Sequence, residues 1–145
     1  MEKSKLVLAS LALLLVTFTA VNAALISSTV ISSSGIVASE GISVYSEASG
    51  TYSVSHLYWG KISVGSTVTR SIYVKNDGAT AISLQVLAIE HVPAEASVLV
   101  FTSNCEGVVL LQGETFQLIM TLTLPEQVAF TVFSFNIRVN SAAVE

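Results

Sequence analysis

Apolar and polar side chains alternate through most of the chain after residue 40. Between residues 66 and 75, Val68, Ile72 and Val74 share one face with Arg70, while Thr67, Thr69, Ser71, Tyr73 and Lys75 share the other. Period two is the mark of a half-buried strand in an antiparallel sheet. In residues 115–124, Phe116, Leu118, Met120, Leu122 and Leu124 point one way. In residues 130–139 the same holds for Phe133, Phe135, Ile137 and Val139. Ile82, Leu84, Val86 and Ala88 line one face of residues 81–89, and Leu87 and Ile89 make the other face apolar too, as in a strand covered on both sides. Shorter runs at 42–45, 52–59, 98–102 and 108–111 bring the total to seven or eight strands. Between them lie turn signals: Gly60 and Gly65, Asn76-Asp77-Gly78, a Pro93 connection with a helical turn at 94–96, residues 104–107 and 112–114, and Pro125. Asp77-Gly78 predicts a hairpin from 66–75 into 81–89. The pattern predicts an all-β, immunoglobulin-like antiparallel β-sandwich over residues 41–140, followed by a tail at 141–145. Trp59, Ile72, Val74, Leu84, Phe116, Leu118 and Phe135 are the expected core.

The first 23 residues read differently. Lys3 and Lys5 precede an apolar run, 6–16, broken only by Ser10, and a softer stretch ends in Val21-Asn22-Ala23. This is the layout of a signal peptide cleaved between Ala23 and Ala24. The alternative is an uncleaved membrane anchor, since residues 6–24 approach the roughly 20 residues that span a bilayer. Both readings send the remainder outward, to an extracellular or cell-surface location, with membrane contact only through an uncleaved N-terminus. Residues 24–40, ALISSTVISSSGIVASE, have no cleanly apolar face: Ile26, Val30 and Ile36 fall on one side, Leu25 and Ile31 on the other. They read as a Ser-rich tether or as a strand donated to another chain.

Composition narrows the function. Charged residues are 11% and hydrophobic residues 52% of the 145. The six Lys and Arg are scattered, so no basic footprint for nucleic acid exists. The single cysteine, Cys105, leaves only a free or intermolecularly paired thiol.

The motif Trp59-Gly60-x-Ile62-x-x-Gly65-Ser66, followed by Ser71-Ile72-Tyr73-Val74-Lys75-Asn76-x-Gly78, resembles the core of Ig-like surface modules such as the CARDB domains, with Val64 where proline is usual. From Ser32 to Val139 the layout is similar to small archaeal exported proteins, and through them to TasA-like and archaeal bundling-pilus subunits. That resemblance implies a fibre in which the mature N-terminal segment completes the next subunit's sandwich. Residues 24–34, with Leu25, Ile26, Val30 and Ile31 as anchors, would be the donated strand.

Catalytic chemistry is not evident. His91 and Glu95 are four apart, but Pro93 between them breaks the helix a zinc-protease motif requires, which counts against the protease activity described for camelysin, a TasA-like relative. His56 beside Tyr58 and Trp59 reads as a strand-surface residue. Glu47, Asp77, Glu106, Glu114 and Glu126 stand singly at turns, and form a calcium site only if loops converge. No catalytic residue, metal ligand or cofactor is assigned. The expectation is a non-enzymatic, exported structural protein of the cell surface, a filament or pilus subunit, self-associating or bound to other surface proteins. The alternative is a membrane-tethered Ig-like module binding a surface ligand or polysaccharide, for which Tyr45, Tyr52, Tyr58 and Trp59 would supply a platform.

Overall fold

The computed structural model describes residues 29–39 and 41–144. The expected signal segment, with Ala23, Ala24, Leu25 and Ile26, lies outside the described residues. Two sheets enclose one hydrophobic core. The strands are β1 (Thr29–Ala38), β2 (Ile42–Tyr45), β3 (His56–Ser63), β4 (Thr67–Asn76), β5 (Ile82–Val92), β6 (Val100–Ser103), β7 (Val109–Leu110), β8 (Thr115–Thr123) and β9 (Val132–Ala143). One sheet runs β3-β1-β9-β5-β7 and the other β2-β4-β8-β6. A 3-10 helix, Ala94–Val98, links β5 to β6, where a helical turn was expected. The protein is therefore all-β, with the two-layer form of a β-sandwich.

Alternation carries most of this architecture. In β4 the even positions Val68, Arg70, Ile72, Val74 and Asn76 turn inward, and in β8 Leu118, Met120 and Leu122 are fully buried. β4 and β8 pair antiparallel from Thr67↔Thr123 to Lys75↔Thr115. Of the expected core, Trp59, Ile72, Val74, Leu84, Leu118 and Phe135 are buried, and Phe116 is half-buried against them.

Three expectations are corrected. Asp77-Gly78 closes no hairpin, because β4 and β5 lie in different sheets. The turn is instead a corner between layers: Asp77 N–H donates to the Gly41 carbonyl (2.9 Å), and Asn76 N–H to that of Glu114 (3.0 Å). Gly60 is not a turn either. β3 runs through it to Ser63, with a register shift that sets Ser32 opposite Gly60 and Ser33 opposite Tyr58, leaving Trp59 as the extra residue. Gly60 there has φ +91°, which glycine takes without strain. Lastly, the sheet begins twelve residues before the boundary read from the sequence. β1 occupies much of the stretch read as tether or donated strand, and it lies inside the sheet of its own chain.

Candidate functional site: the N-terminal strand and its slot

β1 is the first described element and lies between two strands far from it in sequence. It pairs antiparallel with β3, from Thr29↔Ser63 to Gly35↔His56, and parallel with β9, from Ile31↔Val132 to Ala38↔Val139. Both of its edges are satisfied, so its removal would strand backbone donors and acceptors on two neighbours at once.

Its inward face is Val30, Ser32, Ser34 and Ile36; the two serines are 1% exposed. Small residues stand there because large ones stand opposite. Trp59 packs 6.0 Å from Phe135 and 6.4 Å from Phe101, and Phe133 stacks 6.1 Å from Phe135. The Trp59 indole N–H donates to Ser34 Oγ at 3.1 Å. Ser34 Oγ donates in turn to the Leu57 carbonyl (3.4 Å), and Ser32 Oγ to that of Gly60 (3.3 Å). The hydroxyls thus satisfy themselves on the β3 backbone and give the buried indole its acceptor. Gly35 fits for a steric reason: a Cβ there would meet Asn136 Oδ1 at 2.6 Å. Asn136 is itself held by the Glu90 carboxylate, to which its Nδ2 donates.

Beyond Ala38 the strand is anchored by Ser39. Its N–H donates to the Val139 carbonyl (2.9 Å), and its hydroxyl meets Ser141 Oγ (2.9 Å) and accepts from Ser141 N–H (3.0 Å). Gly41 then opens β2 in the other sheet.

The structure places the residues singled out from sequence as follows. Val30 is fully buried, and Ile31 pairs through its backbone with Lys61 and Val132. Trp59 and Gly60 form the bulge facing β1. Gly65 ends the β3–β4 turn, its N–H donating to the Pro125 carbonyl at 3.0 Å. Asn76, 0% exposed, donates to the carbonyls of Thr80 (2.8 Å) and Leu110 (3.1 Å) and accepts from Gly78 N–H (2.9 Å). Trp59 and Gly60 thus belong to the slot, whereas Gly65, Asn76 and Gly78 shape corners.

At the Asn76 corner Lys75 Nζ lies 3.0 Å from Asp77 Oδ1. Hydrogen bonds from Ser43 first, then Lys75, hold the Asp77 carboxyl below its ordinary value, and Asp77 in turn raises the Lys75 amine.

The chemistry-bearing residues stand apart from one another. His91 stacks on Phe135 at 5.7 Å, at the end of β5, while Glu95 sits in the 3-10 helix. Cys105 is buried, its Sγ 3.2 Å from Ser103 Oγ. Among the described residues no three His, Cys, Asp or Glu side chains gather to hold a metal ion. Sequence reading did not single out Ser32, Ser34, Gly35 or Asn136. Their role depends on Trp59 and β9, which local alternation does not reveal. No known protein family matches the chain, and neither does any curated protein.

Proposed function

We propose that this is an exported structural protein of the cell surface, an Ig-like sandwich. Its copies assemble into a filament when the N-terminal strand of one fills the β3/β9 slot of the next. The observation that carries this reading is the placement of β1. It is an interior strand of its sheet, N-terminal to the other strands, and joined to them only through residues 39–41. Such a strand can be contributed by a neighbour with every contact kept: the Ser34–Trp59 hydrogen bond, the two ladders and the Val30 packing are the same in cis and in trans. Exchange of an identical element is a low-cost route to association, and strand addition supplies both backbone pairing and side-chain pockets. The low charge and the resemblance to TasA-like and bundling-pilus subunits support the same reading.

The test is a deletion. The mature protein is expected to form high-mass species in light scattering, and removal of residues 24–34 to abolish them. A synthetic peptide spanning residues 24–38 should then raise the melting temperature of the truncated domain. A truncated protein that still assembles like the full mature chain would end this reading in favour of the tethered binding module.

A further inference from the structure

A sandwich exposes four lateral strand edges, and this one treats them unequally. The outer edge of β3 is capped by Arg70, whose Nε donates to the Tyr58 carbonyl (3.2 Å) and Nη2 to that of Trp59 (2.7 Å). The β2 edge is covered by residues 52–54: Ser46 N–H donates to the Tyr52 carbonyl (2.9 Å), and Val54 N–H to that of Val44 (3.0 Å). β6 is only four residues long. The remaining edge differs. β7 pairs with β5 only at Ile82 and Ser83, with one further bond from Leu84 N–H to the Val108 carbonyl (3.3 Å). Among the described residues nothing pairs with β5 beyond that point on this side. Antiparallel ladders alternate the direction of their backbone groups, and Leu84 faces outward, so Val86 and Ala88 do as well. Their N–H and C=O groups form an open edge.

The open stretch, Gln85 to Ile89, is bounded by β7 at one end. At the other, β5 bulges between Ile89 and Val92, with Glu90 at φ +54°. It carries no charge and no proline, the usual devices that blunt an edge. Beside it two open clefts, of about 480 Å³ and about 270 Å³, share Val86 and Leu87 in their walls, so there is room for another strand.

We infer that this edge pairs with the same edge of a second copy, antiparallel, about a two-fold axis at Leu87. The stretch is five residues long with Leu87 at its centre, so it is complementary to itself. Val86 of one copy comes opposite Ala88 of the other, outward-facing groups meet in hydrogen-bonded pairs, and Leu87, 39% exposed, meets its own counterpart. Val92, Val98, Val100 and Val109, all about half exposed or more, sit on the elements framing this side. A five-residue pairing is small beside the roughly 800 Å² per partner of a standard stable interface. The pair is therefore a concentration-dependent contact and not an obligate dimer. It is independent of strand exchange, because β1 and β5 lie on opposite sides of β9.

Cross-linking tests it, with Cys105→Ser as background in the purified protein. Residues facing each other across the axis are about 4.5 Å apart at Cα, within disulfide reach. Leu87→Cys is expected to give a disulfide-linked dimer under mild oxidation. Gln85→Cys alone should not, because Gln85 faces Ile89, whereas Gln85→Cys mixed with Ile89→Cys should. Leu87→Lys, which sets two like charges opposite each other, should weaken dimerisation at least tenfold in sedimentation. The Leu87 cross-link should form equally in full-length protein refolded at low concentration, where strand exchange has not occurred, which separates this pair from strand exchange. A folded Leu87→Cys protein that stays monomeric, or Gln85→Cys linking as readily as Leu87→Cys, would overturn the inference.

Discussion

Ser34 shows how much a single small residue holds. Its hydroxyl is the acceptor for the buried Trp59 indole. Ser34→Ala strands a buried donor, at a cost of about 1–3 kcal/mol. Trp59→Phe removes that donor but leaves a gap. The double variant should therefore be less destabilised than the sum of the singles, a coupling that denaturant titration of all four proteins would measure. Simple additivity would mean that the hydrogen bond contributes little. Gly35 makes the complementary case. Gly35→Ala forces its methyl against Asn136 Oδ1, 2.6 Å from where the carbon would sit. The expected result is a lowered melting temperature that Asn136→Ala partly restores. If Asn136→Ala gives no relief, the crowding lies elsewhere.

At the scale of elements, the strands that alternate were legible in the sequence, and the rest were hidden for identifiable reasons. β2, β4, β5 and β8 start within a residue of where period two placed them. β1 was obscured because Ser32 and Ser34 occupy inward positions normally filled by apolar residues. They are explained only by Trp59, 25 residues further on from Ser34. β3 was cut short because its bulge resets the parity, so Trp59 and Ile62 both face inward though three apart. The Asp77-Gly78 turn has hairpin chemistry, yet β4 already pairs with β2 and β8, and the chain must change sheets. That corner also titrates. Asp77 has a lowered carboxyl, owing first to Ser43 and then to Lys75, so its contribution is present above the ordinary carboxylate range and is lost as pH falls through the depressed value. Lys75 is raised by Asp77, so its contribution holds below the ordinary lysine range and is lost as pH rises through the elevated value. Both side chains are more than a third exposed, so solvent screening keeps the effect small. Asp77→Asn should flatten part of the acid limb of a stability–pH curve. An acid limb unchanged in Asp77→Asn would place the acid sensitivity on other carboxylates.

The whole molecule is closed by its most distant pairing. Ile31 meets Val132 across 101 residues of chain, whereas β3 meets β1 over about 30. Such non-local closure is entropically slow to form. β1 can gain its second partner only once β9 is in place, so its β9 side is the late-forming half of the slot. Under the proposed exchange, the strand of a neighbour would compete with the chain's own until that side is filled, and concentration would decide between them. Once β1 is seated, its ladders on both sides and the Ser34–Trp59 bond must break together before exchange, which makes the closed monomer kinetically persistent. The proposed strand exchange therefore predicts a dependence on history. Protein refolded from denaturant at low concentration should form no species larger than the reversible β5-edge pair when later concentrated. The same protein refolded at high concentration should yield high-mass species under identical final conditions. Light scattering on the two samples makes the comparison. If the two preparations converge within minutes on one size distribution, the seated strand is not a kinetic barrier and assembly does not proceed through the unfilled slot.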